Sequence, residues 1–549
     1  MKTAGVLLLT ALTAVAVAGD LLVRIEPASD ADIELAAASG GAFLQRFDGW
    51  FLVRARPDDF PALSERLSCR ALGAALEGRR CVYAQVAPDF DRQQLAACGT
   101  VLTEDREGVL LRVTAEGVRK LTRMPVELCG VSTEPVRATG TPSAERQAPN
   151  AMVVSDSLIW QLMARASQDS AEAVLRRLIA FRTRYAPTDS CWAAANWFRQ
   201  QLAAYGCDST YLDTFHMPLD TQTVNVVGVK LGRVNPNLIH IVCGHIDNTS
   251  ETPETFAPGS DDNASGCGLV LEAARIFQGI EFDYTVLFVG FGAEEFGLVG
   301  SDTMARECRE RGDTIVLVIN HDMNSYGTAG RDSIRVVGKR SNPPCSTWVE
   351  YYMAMADTFT DLKCHREIVD DQASSDQHSF WKYGYAAIRD RYLDRDPVYH
   401  TTGDTIGPFE YYMCGTNNVP MYTEAIKATV ATVARLAGAR ADTTGVSESR
   451  PVPLSVDLRV LPSVGRAPVL IRLSPAVRPV AVYDAMGRCI RTLSAPQCHP
   501  IRILSAPQSP LPHPYYLTWD GRDLAGNKAG PGIYYFRTAG ASAKFVLAR

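Results

Sequence analysis

Leu238-Ile-His-Ile-Val-Cys-Gly-His-Ile-Asp, residues 238–247, is a short apolar run that stops on a glycine and then presents a histidine and an aspartate. A run this short and this apolar fits a strand covered on both faces. The pattern recurs twice downstream. Tyr284-Thr-Val-Leu-Phe-Val-Gly-Phe leads into Gly292-Ala-Glu-Glu, and Thr314-Ile-Val-Leu-Val-Ile leads into Asn320-His-Asp. Tyr385-Ala-Ala-Ile is a fourth run of the same kind. Segments with apolar residues at helical spacing lie nearby: Ala171 to Arg184, Cys191 to Tyr205 and Gly268 to Phe277. Alternation of this kind predicts an α/β domain with a mixed, largely parallel sheet between helices.

In an open parallel sheet, ligands bind beyond the carboxyl ends of the strands. Three strands are therefore expected to bring His245, a glutamate of the Glu294-Glu295 pair, and Asp322 to one edge. An aspartate of the Asp261-Asp262 pair and His400 in Tyr-His-Thr-Thr-Gly-Asp complete a set of two imidazoles and three carboxylates. Such a set suits a pair of borderline divalent metals such as zinc. Of the two adjacent glutamates, one is expected to bind metal and the other to stay free to move protons. Asp247, two residues after His245, is placed to accept the imidazole's other N–H and fix its tautomer. His321 is expected to make a structural hydrogen bond. His216, His240 and His365 have no supporting context.

At this point the chain resembles the M28 family of zinc exopeptidases, the di-zinc aminopeptidases. The segments that carry the resemblance are Gly244-His-Ile-Asp, Gly259-Ser-Asp-Asp-Asn-Ala-Ser-Gly, Gly292-Ala-Glu-Glu-Phe-Gly-Leu-Val-Gly-Ser, His321-Asp-Met, Ser375-Asp-Gln-His-Ser-Phe-Trp and Tyr399-His-Thr-Thr-Gly-Asp-Thr. They occur in the family's order. The resemblance implies a zinc exopeptidase-like fold and two zinc ions, one held by His245 and Asp322, the other by Glu295 and His400. Asp262 would bridge them, next to a cis peptide bond at Asp262-Asn263. Glu294 would be the general base and Asp247 the carboxylate behind His245. The implied reaction is hydrolysis of the N-terminal bond of peptide substrates, with Glu294 relaying a proton from water to the departing amine. A carboxypeptidase or other amidohydrolase would use the same site. A glutaminyl cyclase would need only one zinc, and a non-catalytic surface receptor would have lost ligands. This chain departs from the family at Gln377, where many members carry histidine. His378 follows one place on, in a loop that helps shape the substrate pocket.

The rest of the chain divides around this domain, 151–445. Residues 1–18 read as a signal peptide: Lys2, an apolar stretch from Val6 to Val17, and a small-x-small site ending at Ala18. An exported, secreted or cell-surface bacterial protein is expected. Residues 19–135 look duplicated, with Leu21-Leu-Val-Arg-Ile-Glu-Pro echoed by Val82-Tyr-Ala-Gln-Val-Ala-Pro. Helices are expected from Pro61 to Ala75 and from Ala115 to Met124. This α+β region contains no histidine and reads as an accessory or pro-domain. A Pro/Thr/Ser/Gly-rich linker, 136–150, follows. Residues 450–549 have the cadence of a β-sandwich. Val482-Tyr-Asp, Trp519-Asp-Gly-Arg-Asp and Gly532-Ile-Tyr-Tyr-Phe-Arg there resemble the immunoglobulin-like module of the flagellar hook-cap protein and of secretion-sorting tails. That resemblance implies contact with export or cell-surface machinery.

The 549 residues, 46% hydrophobic and 21% charged, are globular in composition and suit about three or four domains. A net charge of −6 gives no reason to expect nucleic acid as partner. No run after the leader reaches the roughly 20 apolar residues of a membrane span. Fourteen cysteines in an exported chain permit disulfides, but their pairing is not readable, and Cys243 and Cys267 read as buried thiols.

Overall fold

Alternate residues of the Asn235–His245 strand enter two different cores. Val242 joins a cluster with Phe198, Leu271 and Ile426, whereas Ile241 and Cys243 join Met304, Cys308 and Phe380. That alternation follows from the two-residue period of a strand covered on both faces. In this computed structural model the strand is central to an eight-stranded sheet. The spatial order is Lys363–Val369, Ser333–Lys339, Ala387–Tyr392, Thr314–His321, Asn235–His245, Tyr284–Phe291, Gln222–Lys230 and Ser209–His216. The four strands from Ala387–Tyr392 to Tyr284–Phe291 run parallel. Gln222–Lys230 and Ser209–His216 continue antiparallel on one side. On the other, Ser333–Lys339 pairs antiparallel with Ala387–Tyr392 and parallel with Lys363–Val369. The domain is mixed α/β.

The structure describes residues 20–131 and 154–441, except 27–28, 48, 76–79, 328–332, 371–373, 394–395 and 407–416. Beyond 441 it describes 458–461, 464–465, 469–473, 480–484, 489–493, 515–519, 522–523, 527–529, 532–538 and 541–547. The expected signal peptide and linker lie outside the described residues.

Helices Gln168–Ile179, Asp189–Ala204, Gly266–Ile276 and Val419–Ala437 cover one face of the sheet, and Val299–Arg311 and Gln377–Lys382 cover the other. Local chemistry sets their ends. The side chains of Ser167 and Thr188 accept the N–H of Ser170 and Cys191 in the first turn of their helices. The helix expected to reach Arg184 stops at Ile179, because Arg182 takes a left-handed φ of 67° and the chain turns Arg184 inward.

The N-terminal region holds two four-stranded antiparallel sheets. The first is ordered Gly41–Phe47, Trp50–Ala55, Leu21–Ile25, Cys69–Ala74. The second is ordered Gly99–Glu104, Gly108–Val113, Arg80–Gln85, Glu127–Val131. The helix expected over Pro61 to Ala75 is only Phe60–Arg66. Cys69–Ala74 is instead a strand that satisfies the open backbone edge of Leu21–Ile25. Likewise the helix from Ala115 ends at Leu121, not Met124. The second sheet shares one apolar core with the central α/β domain. Val82, Leu111, Val118, Leu121, Val126 and Leu128 pack with Tyr185, Phe215, Met217, Ala293 and Phe296.

From Thr444 onward the chain forms a separate unit. Leu458–Leu461, Val469–Leu473 and Tyr515–Trp519 make one antiparallel sheet. Val464–Gly465, Ala541–Leu547, Gly532–Thr538, Val480–Asp484 and Cys489–Leu493 make another. Among the described residues no helix is long and apolar enough to cross a membrane. The cysteines from Cys69 to Cys364 are free thiols, with Cys243 and Cys267 buried.

Candidate metal centre

Parallel strands that end at one edge converge there. His245 is the last residue of its strand, Asp322 follows His321 at the end of the neighbouring strand, and Glu294-Glu295 follow Phe291 on the other side. The turn after Phe291 requires glycine at 292, since a Cβ there would lie 2.3 Å from the Val224 carbonyl oxygen. Ala293, Met323 and His400 have left-handed φ values of 56°, 61° and 56°. Non-glycine residues in that region cluster where function demands a fixed backbone.

Asp262 lies between the two imidazoles. Its Oδ1 is 3.3 Å from His245 Nε2 and its Oδ2 is 3.1 Å from His400 Nε2. Asp322 Oδ1 is 3.4 Å from His245 Nε2, and Glu295 Oε2 is 3.0 Å from His400 Nε2. All five side chains are buried. Each imidazole gives its Nδ1–H to a carbonyl, His245 to that of Asp247 and His400 to that of Met124, both at 3.1 Å. Both Nε2 atoms therefore face carboxylates across gaps that need a positive charge between them.

The electrostatics express the same need. Burial alone would lower the imidazole pKa values, but the facing carboxylates outweigh it. Glu294, Asp262 and Asp322 raise His245, and Glu295 and Asp262 raise His400, both well above the usual range. Burial also opposes the charge on Asp262, yet the two imidazoles hold its carboxyl below the ordinary value. For Asp322, burial is overcome chiefly by Arg389, whose guanidinium sits 3.0 Å from Asp322 Oδ2. Glu295 keeps one buried oxygen, Oε1, without a hydrogen-bond partner among the described residues. Two subsets, His245-Asp262-Glu295 and His245-Glu294-Asp322, each bring their ligand atoms within 4.8 Å of one another. This donor set, with its orphaned oxygen, fits divalent metal.

Glu294 is set apart. It is only partly buried and lines the cleft. Burial, followed by the charges of Glu295, Asp376 and Asp322, raises its pKa well above the usual carboxylate value.

The surrounding groups hold backbone rather than metal. Asp247 differs from its expected role: its carboxylate lies 3.9 Å from His245 Nδ1 and instead accepts the N–H groups of Glu294 and Glu295, at 3.1 and 3.3 Å. A fully buried carboxylate needs donors, and the turn after Phe291 supplies two. Asp404 does the same for Asp261 and Asp262, at 2.8 and 3.0 Å. Asp261 turns away, and its Oδ1 accepts the N–H groups of Ser325 and Tyr326. The Asp262-Asn263 peptide bond is cis. His321 is bound to Asp390 at 2.5 Å, as a structural histidine. His240 is buried beside Tyr284, while His216 and His365 are exposed.

Several supporting residues carried no readable signal. Arg184 only closes an apolar pattern at helical spacing in the sequence. It is fully buried and donates to the carbonyls of Leu178, Ile246, Pro258 and Gly259. Met124 acts through its backbone, which no side-chain pattern reports. Among the described residues of the loop expected to shape the pocket, Gln377 and His378 do not line the cleft. Gln377 accepts a hydrogen bond from Asn320, and His378 is buried beside Cys129. Glu127, Met323, Arg389 and Tyr399 line the cleft with the cluster.

Residues 225–416 match Peptidase family M28. A probable zinc metalloprotease of Pyrenophora teres is 27% identical over 192 residues, 31% of this chain and 41% of that protein. One of Pyricularia oryzae is 30% identical over 179 residues, 29% of this chain and 36% of that protein. The chain thus spans about two fifths of the length of these relatives. A probable leucine aminopeptidase of Arthroderma otae is 25% identical over 346 residues, covering 61% of this chain and 91% of that one. In fold, the chain is similar to the LapA aminopeptidase of Legionella pneumophila, with a TM-score of 0.50 at 20% identity over 66% of this chain and 98% of that one. His245, Asp262, Glu294, Glu295, Asp322 and His400 all fall within the residues that match Peptidase family M28, so the buried cluster lies in the part of the chain that is similar to that family.

Proposed function

We propose that this protein is an exported zinc-dependent aminopeptidase. One observation carries the reading: Asp262 faces an imidazole with each oxygen, and each imidazole faces a further carboxylate. His245, Asp322 and Asp262 would hold one zinc, and His400, Glu295 and Asp262 the other. When bound, zinc supplies Lewis acidity, lowering the pKa of water and polarising a carbonyl.

The chain's own residues do the rest. Glu294 takes a proton from the attacking water and returns it to the departing amine, a role that suits a carboxylate whose proton affinity burial has raised. Asp247 holds the backbone of Glu294, so the base stays where the water must be. Arg389 fixes Asp322, and the Tyr399 ring stacks on His400 with centroids 3.7 Å apart. The leader-like residues 1–18 support export, and the β-rich C-terminal region supports contact with export or surface machinery.

The test uses purified full-length protein with leucine amide and N-acetyl-leucine amide. Cleavage confined to the free-amine substrate, lost on chelation and restored by zinc, is expected, with about two zinc ions bound per chain. Glu294→Gln should keep the zinc and lose nearly all turnover. Full activity after exhaustive chelation, or equal cleavage of the N-blocked amide, would overturn the reading.

A further inference from the structure

The segment between the second N-terminal sheet's helix and its last strand lies against the candidate site. Thr122 accepts a hydrogen bond from Thr249 through its carbonyl and meets the Tyr185 hydroxyl at 3.0 Å. Met124 gives its carbonyl to His400. The Gly130 N–H then donates to the Gly297 carbonyl at 3.0 Å. This contact is tight: a Cβ on Gly297 would lie 2.7 Å from the Gly130 nitrogen, and one on Gly130 would lie 2.8 Å from the Gly297 oxygen. Gly297 follows Glu294-Glu295 in the same turn, so the edge strand Glu127–Val131 is seated on the loop that carries both glutamates.

Glu127 begins that strand and lines the same cleft as the metal-type cluster. The other lining carboxylates have work already: Asp262, Glu295 and Asp322 face imidazoles, and Glu294 is placed for proton transfer. The lining guanidinium of Arg389 is engaged by Asp322 and by Ser374. Among the described residues none donates a hydrogen bond to the Glu127 side chain. A cation entering the cleft would therefore meet a carboxylate that no hydrogen bond holds, although the charges of Arg389 and Arg391 act on it, and that comes from a different part of the chain from the metal ligands.

We propose that Glu127 is a specificity-determining residue that holds the substrate's free α-ammonium group, so that the N-terminal domain completes the substrate site. This rests on the aminopeptidase reading above. An ammonium on a carboxylate is a charge-assisted hydrogen bond, stronger than a neutral one. Binding it equally in ground and transition states should appear in KM rather than kcat.

The experiment compares full-length wild type, Glu127→Gln and Glu127→Asp on leucine p-nitroanilide, together with calorimetric binding of L-leucine and N-acetyl-leucine. Glu127→Gln should raise KM and weaken L-leucine binding by about 10- to 100-fold, with kcat, zinc content and melting temperature nearly unchanged. Glu127→Asp should fall between, and N-acetyl-leucine should bind all three alike. Unchanged KM and leucine affinity in Glu127→Gln would overturn the proposal. So would a gain of activity, which would make Glu127 a plug, and so would loss of zinc or of thermal stability, which would make it structural. Wild type that cleaves N-blocked substrate equally well would end the aminopeptidase reading and this proposal together. A selective wild type with an indifferent Glu127→Gln would end this proposal alone.

Discussion

The carboxylate of Asp247 accepts the backbone N–H of Glu294 at 3.1 Å, with the adjacent N–H of Glu295 on its other oxygen. The candidate base and its neighbour are thereby fixed by a residue that follows His245 on a different strand. Asp247→Asn keeps one acceptor and turns a donor toward the other N–H, leaving a buried group unpaired at a cost of about 1–3 kcal/mol. Turnover should fall about tenfold or more while bound zinc is retained, since the ligand side chains are untouched. Steady-state kinetics with metal analysis of the same sample checks this; loss of zinc in step with activity would contradict it.

Asp261 and Asp262 adjoin in sequence and should respond oppositely. Asp261 is raised to about 7, by burial first and by Asp396 next, so its neutral form costs little, and an amide oxygen can still accept from Ser325 and Tyr326. Asp261→Asn should keep full zinc content and lose no more than about 1 kcal/mol of stability. Asp262→Asn should lose zinc. Metal analysis of the two variants side by side decides it, and equal zinc loss would refute the assignment.

Arg184 joins four carbonyls: Leu178 in the helix just before it, Ile246 just after His245, and Pro258 and Gly259 shortly before Asp262. A lysine offers one ammonium in place of a planar fork, so Arg184→Lys leaves carbonyls unmet around a buried charge. The expected cost is about 3–5 kcal/mol. Melting curves of the purified variant should show a midpoint lowered by roughly 10 °C. A shift within experimental scatter would show that the guanidinium is dispensable.

His240 gives a pH test away from the metal cluster. Burial lowers its pKa from 6.5 to about 4. Between those values the unfolded chain takes a proton that the native ring refuses. Stability held above pH 6.5 is therefore lost as pH falls toward 4, by up to about 3 kcal/mol. His240→Gln cannot titrate, so the difference in unfolding free energy between wild type and variant should shrink across that window. Chemical unfolding of both proteins from pH 7 to 4 measures it; a constant difference would mean His240 titrates normally.

Much of the central domain was legible because its strands are covered on both faces. Such strands write themselves as unbroken apolar runs, and three of those runs end beside charged residues. The outer strands Ser209–His216 and Lys363–Val369 were not legible. Each has one neighbouring strand and exposed residues, so neither shows an apolar run. Cys69–Ala74 was misread because its alanine- and leucine-rich sequence suits a helix, while the open edge of Leu21–Ile25 makes it a strand. The site divides the same way. Ligand-type side chains announce themselves, but contacts made by backbone, as at Met124 and Gly297, depend on geometry that residue identity does not encode.

The apolar core shared by the second N-terminal sheet and the peptidase-like domain also bears on how the protein is made. Val118, Leu121, Val126 and Leu128 leave the ribosome well before Tyr185, Phe215 and Phe296, which cover them in the native state. During synthesis that sheet must wait with its apolar face bare for about as long as 170 further residues take to emerge, some ten to thirty seconds at usual elongation rates. Through that interval the nascent chain depends on whatever shields the face, so a burden on the cell's chaperones is written into the docking of the two domains.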